Sequence, residues 1–323
     1  MVKFGVALIS MSPQDICRGN YEILKKVAVE AEKLGFDSFW LNDHLFTFPQ
    51  SPTPFLECWT TLSALASETK EIRLGTLATC ASFRWPSLLA KMASTLDVIS
   101  GGRLELGIGA GWYEAEYKAY GIPFPPTETR IKKLEETVRI LKDMWTKEKT
   151  TFHGKYYHLE NAICSPKPVQ KPHPPIWICG GGEKLTLRVV AKYGDGCNFS
   201  DVTSEEYERK LNVLKKHCLK VGRNIETIQK SIASCVFIAD SKQEAKRTAL
   251  RVKIATPLRT VQEMSFEDFV EPHIFGTPKL CIRKIKQYMN VGVEYFMLCF
   301  PCSDILRSLS LFAEKVMSFF QRT

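Results

Sequence analysis

No stretch of this 323-residue chain carries the roughly 18 consecutive apolar residues that a membrane-spanning helix needs. The Phe4–Ile9 run is too short for the core of a secretory signal, so it reads as a buried first strand. Compact cysteine spacing is missing as well. The eleven cysteines are scattered through apolar surroundings, which argues against a disulfide framework and for a reducing, cytoplasmic setting. HExxH, a P-loop, a nucleophile elbow and clustered metal carboxylates are all absent, so no metal site is expected. Cys299-Phe300-Pro301-Cys302 is the one CxxC. Without a second pair or a nearby histidine it reads as two cysteines at a strand end rather than as zinc ligands, with a dithiol role left open.

An excess of one charge is present but diffuse. Lysine and arginine outnumber aspartate and glutamate by 44 to 35, a net charge of +9. The lysines of 131–142 and 207–220 are mixed with glutamates at helical spacing, the pattern of a solvated helix face. The expected partner is therefore a small molecule, not nucleic acid and not a membrane. Attraction of an anionic cofactor or substrate is a secondary consequence.

Short apolar, β-rich runs alternate with amphipathic segments almost throughout. Strands are expected at 3–9, 38–41, 73–78, 103–108, 175–179, 196–199, 228–238 and 295–299. Helices are expected near 21–34, 56–69, 87–99, 132–145, 184–192, 204–221, 242–254, 281–290 and 303–320. Eight strands, each followed by a helix, predict one α/β domain over residues 1–323, a single (β/α)8 TIM barrel. Two stretches interrupt the alternation: 147–175, with a small hairpin at 150–159, and 256–276, which carries Pro257 and Pro272. Long insertions in a barrel commonly wall the substrate site.

Strand ends collect the ligand-type residues. Gly107-Ile108-Gly109-Ala110-Gly111-Trp112 joins the fourth strand to a helix, and backbone this bare lets a flat or anionic ligand approach closely. Its spacing is GxGxG, not the GxGxxG of a dinucleotide fold. The second strand ends in Asn42-Asp43-His44, the third in Leu77-Ala78-Thr79-Cys80, and the fifth in Cys179-Gly180-Gly181-Gly182 before a helix starting at Glu183. Barrel active sites form at these C-terminal ends. His44 suits general acid–base work, although such a histidine can also be a buried, hydrogen-bonded one, and Asp43 can be an N-cap. Gly180–Gly182 can be a plain tight turn, but three consecutive glycines are more than a turn needs, so the run favours binding of a phosphate.

The chain also resembles a known family. The marks are Ala31-Glu32-Lys33-Leu34-Gly35-Phe36-Asp37-Ser38-Phe39-Trp40, Asp43-His44, Leu74-Gly75-Thr76, Leu89-Ala90-Lys91-Met92-Ala93, 95–104, 107–112, Pro166-Lys167-Pro168, 180–184 and Tyr193-Gly194-Asp195-Gly196. Together they resemble the bacterial luciferase-like superfamily of flavin- and deazaflavin-dependent oxidoreductases, closely from Lys3 to about Asn198 and more loosely beyond. The Asp-His pair and the GxGAGW run look most like the branch that uses coenzyme F420. An FMN-dependent monooxygenase is the alternative, and a non-catalytic flavin-binding barrel a further one.

The resemblance implies hydride transfer between F420 and a small organic substrate, as in methylenetetrahydromethanopterin reductases or alcohol and sugar-phosphate dehydrogenases. It implies a ring seated near Asp43, Ala78 and Gly107, within a cofactor site that includes Leu77, Thr79, Cys80, Gly109, Ala110 and Gly111. The backbone of Cys179–Gly182 would hold the cofactor phosphate, with His44 as the acid–base residue. A non-prolyl cis peptide at Leu77-Ala78 and a homodimer built on helices near 56–69 and 87–99 are also implied. Trp112 stands where glucose-6-phosphate dehydrogenase members place a glutamate, and their phosphate-binding basic residues have no evident counterpart. Glu57 can either reach the rim or cap the second helix.

Overall fold

Strands that are apolar on both faces need cover on both faces, and a closed parallel barrel ringed by helices provides it. The computed structural model describes residues 2–9, 16–256 and 258–321. Its strands are β1 (Lys3–Leu8), β2 (Ser38–Leu41), β3 (Arg73–Cys80), β4 (Leu104–Gly109), β5 (Thr150–His153), β6 (His158–Ala162), β7 (Ile176–Cys179), β8 (Gly196–Ser200), β9 (Gln229–Ile238), β10 (Ile274–Gly276) and β11 (Tyr295–Cys299). Eight of them run in the order β9-β11-β1-β2-β3-β4-β7-β8, and β8 pairs back onto β9 to close the barrel. All eight expected strands are barrel strands.

The helices are α1 (Tyr21–Lys33), α2 (Cys58–Glu68), α3 (Pro86–Ile99), α4 (Glu114–Ala119), α5 (Thr127–Thr146), α6 (Thr186–Tyr193), α7 (Ser204–Lys220), α8 (Lys242–Ala255), α9 (Arg259–Glu263), α10 (Phe266–Val270), α11 (Pro278–Asn290) and α12 (Ile305–Phe312). A π-helical turn, Ala313–Met317, continues α12. Local chemistry sets several starts. Thr203 and Glu206 form a reciprocal capping box on α7, Asn20 caps α1, and Pro86 opens α3 where its missing N–H costs nothing.

Both expected insertions are present. Residues 147–175 hold the antiparallel hairpin β5–β6. Residues 256–276 hold α9, α10 and β10, and β10 pairs in parallel with the last three residues of β9. Pro257 lies outside the described residues. No helix among the described residues is long and apolar enough to cross a membrane.

One expected boundary is corrected. The helix after the Gly180–Gly182 run begins at Thr186, not at Glu183; residues 183–185 form a turn. Glu183 is held by tertiary partners instead: its carbonyl lies 2.8 Å from His217 Nε2, and its carboxylate lies 3.5 Å from Arg209. Those contacts outweigh the helix propensity of Glu183 and Lys184.

The barrel axis is filled by Trp40, Trp177, Tyr295 and Met297, with Leu77 and Ala233 in the same layer. Trp40 meets Trp177 and Tyr295 edge-on, at 6.3 and 6.2 Å between ring centres. Their polar tips are satisfied, since Trp177 Nε1 donates to Glu105 at 2.6 Å and both Trp40 and Tyr295 donate to Ser38 Oγ at 2.5 Å. The indoles explain two strand glycines. A Cβ on Gly75 would overlap Trp40, and one on Gly196 would overlap Trp177.

Candidate active site

β2, β3, β4 and β7 are neighbours in the barrel, so their C-terminal ends lie side by side at one rim. That arrangement brings His44, the Leu77–Cys80 segment, the Gly107–Gly111 run and the Cys179–Gly182 turn together. The Leu77-Ala78 peptide is cis, and the β3–β4 register shifts between Thr76 and Thr79. Cys80, beyond the bulge, donates its N–H to Asp43 Oδ2 at 3.0 Å.

His44 is half-buried and held by Glu116, the second acidic residue of α4. His44 Nδ1 and Glu116 Oε2 are 2.8 Å apart, and the other Glu116 oxygen accepts the Leu45 N–H at 2.7 Å. A carboxylate only accepts, so Nδ1 carries the proton and Nε2 is the imidazole nitrogen left for chemistry. Trp112 stands edge-on to the His44 ring at 5.9 Å, and Tyr113 and Phe48 pack against each other at 4.4 Å, forming an aromatic wall beside the imidazole.

Asp43 is buried and engaged on every side. Arg84 donates to both of its oxygens, at 2.6 and 2.9 Å, and a second bond from Arg84 reaches Glu57 at 2.6 Å. Burial pushes the Asp43 carboxyl up, while Arg84 and the Cys80 amide pull it back. Burial lowers Arg84, but Asp43 and Glu57 outweigh it and leave the guanidinium above its ordinary value. Of the two roles open to Glu57, the helix cap is the one observed: it accepts the Trp59 and Thr60 N–H at the start of α2. Asp43 thus shapes the rim through Arg84.

The glycines divide by what a Cβ would meet. At Gly107 it would overlap the Thr76 carbonyl, and at Gly111, with φ +79°, the Tyr117 hydroxyl. Those two are needed by the protein's own packing. At Gly109 the nearest atom is the Cys179 carbonyl at 3.3 Å, and at Gly180, with φ +126°, only the Thr186 methyl lies near, at 3.6 Å. The backbone is bare at Gly180, while Gly109 sits close under the Cys179 carbonyl. Ala110 is half-buried between them. At Gly181 and Gly182 the space is taken by Lys210 and by Thr186 Oγ1. Lys210 Nζ donates to the Gly181 carbonyl at 2.9 Å and so sets a cation on the glycine turn. Burial pushes the thiols beside the rim up, Cys80 to about 11 and Cys179 to about 12.

Glu116, Arg84 and Lys210 are functional candidates that the sequence reading missed. Glu116 alone carried a signal, as an acid in the first turn of a helix that opens at the barrel rim. No group of three or more potential metal ligands occurs among the described residues.

A closed parallel barrel with a histidine–carboxylate pair and bare glycine turns at its C-terminal rim defines the class: a TIM barrel with an enzyme-type site. Residues 2–295 match the family described as luciferase-like monooxygenase, and the chain belongs to it. It is similar to an F420-dependent glucose-6-phosphate dehydrogenase of Amycolatopsis mediterranei, with 27% identity covering 91% of this chain and 93% of that one. An FMNH(2)-dependent dimethylsulfone monooxygenase of Pseudomonas putida is 24% identical over 84% of this chain and 81% of its own. Among solved structures, an F420-dependent secondary alcohol dehydrogenase superposes with a TM-score of 0.83 at 19% identity, covering 98% of both chains.

Proposed function

We propose that this protein transfers a hydride between coenzyme F420 and a small organic substrate. The observation that carries the reading is the His44–Glu116 pair at the rim, beside glycine backbone bare enough to receive a cofactor. The residues fit such a group: Gly180 leaves the backbone open, Thr79 Oγ1 is buried without a partner among the described residues, and Lys210 puts positive charge at the Gly180–Gly182 turn. Resemblance to F420-dependent dehydrogenases supports the same choice.

Bound there, F420 would supply the hydride carrier. The protein's part is binding, orientation and proton transfer. Ala78, Thr79, Gly109 and Ala110 would line the ring site, and the 179–182 turn with Lys210 would hold the phosphate. Glu116 fixes the imidazole so that Nε2 gives or takes a proton at a substrate oxygen. Trp112, Tyr113 and Phe48 would shield that proton from bulk water. A homodimer is part of the proposal, supported by exposed Leu88, Val98 and Ile99 on α3, and sedimentation of the purified chain tests it.

Fluorescence titration with F420 and with FMN tests the reading. Binding of F420, with turnover lost in His44→Ala, is the expected result. Preference for FMN would replace it with a monooxygenase, and F420 binding without turnover on a broad substrate panel would replace it with a carrier.

A further inference from the structure

The other half of the barrel mouth contains a cavity of about 350 Å³, bounded by the ends of β1, β8, β9 and β11 and roofed by the 256–276 insertion. Its walls are mainly apolar, with Phe237, Val252, Val261, Phe269 and Phe300 prominent. The charges among them are few and unevenly placed. Glu206 and Asp268 are exposed, as is Asp201, whose side chain is 62% open to water. His273 is buried, and burial pushes it down to about 4, so it is neutral near pH 7. Arg18 is left as the one buried charge among the described wall residues.

The Arg18 side chain is held stiffly. Its Nη2 donates to the Asn42 and Leu56 carbonyls at 3.0 and 3.2 Å, and its own carbonyl accepts the Leu56 N–H at 2.8 Å. The guanidinium lies 4.6 Å from the centre of the Phe55 ring. Those bonds occupy one guanidinium nitrogen only. Nε and Nη1 are buried without a partner among the described residues. The carboxylates nearest in the fold are engaged elsewhere, since Asp43 and Glu57 both bind Arg84. Burial lowers both arginines, with opposite outcomes. At Arg84 the two carboxylates outweigh it, whereas at Arg18 Cys58, Asp43 and Glu57 do not, and the group stays below its ordinary value. A guanidinium remains protonated in proteins, so what Arg18 lacks is an acceptor. Leaving a buried charged donor unpaired is costly, and a rigid one in the wall of a cavity is suited to an acceptor that arrives with a ligand.

We propose that Arg18 is the anion anchor of the substrate, which is a monoanion with a carboxylate that accepts from Arg18 and an apolar body against the phenylalanine side of the cavity. The inference rests on the hydride-transfer reading above and narrows its substrate class. One guanidinium balances one negative charge, whereas a phosphate dianion would leave a second charge facing Glu206, Asp268 and Asp201. The anchor is tied to the reacting rim, because the Asn42 carbonyl that holds it belongs to the segment that ends in His44. The volume lies at the low end for small-molecule sites.

Calorimetric binding of cyclohexanecarboxylate and its neutral counterpart cyclohexylmethanol to the full chain tests this, with F420 titrated separately by fluorescence. The carboxylate should bind more tightly than the alcohol by roughly tenfold or more, the worth of one charged hydrogen bond. Arg18→Met should erase that preference while the alcohol keeps its affinity. Arg18→Lys, which retains the charge but not the planar donor set, should keep part of it. Val261→Trp, which fills the cavity from its roof, should weaken both probes. Equal or absent binding of the two probes to the parent chain, or a preference that survives Arg18→Met, would overturn the proposal, and the parent comparison needs no variant to fold. Failure of F420 to bind while the carboxylate preference remains and depends on Arg18 would overturn the cofactor reading and support the anchor.

Discussion

The two halves of the barrel mouth solve opposite problems with the same residue types. On the β2–β3–β4–β7 side every carboxylate has a partner: Asp43 with Arg84, Glu57 with Arg84, Glu116 with His44. On the β8–β9–β11 side, Asp201 and His273 face each other at 3.8 Å with no bond between them. Paired groups make a rigid rim on which geometry can be held. On the other side His273 Nδ1 is buried without a partner among the described residues, whereas the Asp201 side chain is exposed to water.

The sharpest test of that division is the imidazole. His44→Ala should lower kcat by roughly 10²–10⁴-fold, and it should also lower the melting temperature, because it takes the Nδ1 partner away from the buried Glu116 carboxylate. Steady-state kinetics beside a thermal melt would show it; unchanged turnover removes His44 from the chemistry. Next in size, Arg84→Leu leaves the buried Asp43 carboxylate uncompensated and should cost about 3–5 kcal/mol in a urea titration. A loss below 1 kcal/mol would mean that the pair is dispensable.

Glu116→Gln should be milder in stability yet lower kcat by roughly 10–100-fold, since an amide holds the Nδ1 proton less well than a carboxylate. Its pH–rate profile should shift as well, which simple loosening of α4 would not produce. The two rim glycines give a paired control. Gly107→Ala should unfold the protein more readily than Gly109→Ala, because its Cβ would overlap the Thr76 carbonyl whereas that of Gly109 would press on the Cys179 carbonyl at 3.3 Å.

The smallest effect is expected at Asp201, and it carries a sign. The folded state raises its pKa to about 6 from an ordinary value near 3.8, so it favours the neutral acid. Its contribution is fully present below pH 3.8 and is lost as pH rises through 6. The Asp201 side chain is 62% exposed and water screens most of this, so Asp201→Asn should gain only slightly on the parent protein in melting temperature between pH 4 and 7. His273 runs the other way, since its lowered pKa favours folding above pH 6.5 and is lost as pH falls through 4, but it is present in both proteins and leaves the difference to Asp201. A flat difference across that range would refute the assignment.

The barrel was legible because a parallel strand covered on both faces must be apolar on both, and helices need a stripe at their own period. Every barrel strand announced itself that way. Boundaries were weaker where local and tertiary signals disagree. The helix at 127–146 starts five residues before its apolar stripe suggests, just after Pro125-Pro126, and α6 starts late because Glu183 is held from α7. The rim was half legible. Asp43, His44 and the glycines sit at strand ends where a barrel puts its chemistry, but their partners do not. Arg84 is 41 residues from Asp43, and Glu116 is 72 residues from His44. Nothing local joins such pairs. Asp201 and His273 were invisible for the same reason: one follows β8, the other lies in an insertion, and only the fold makes them face each other.

One consequence follows from the short strand β10. Ile274–Gly276 is laddered onto Val236–Ile238, the overhanging end of a barrel strand, and Phe237 within that overhang is itself a wall of the cavity. Roof and wall thus share one ladder of backbone hydrogen bonds with the scaffold. A ceiling stitched to its own joist does not swing like a trapdoor. The chamber's outline is set when the chain folds, and guests are sorted by whether they fit a finished room, not by whether they can persuade it to shut.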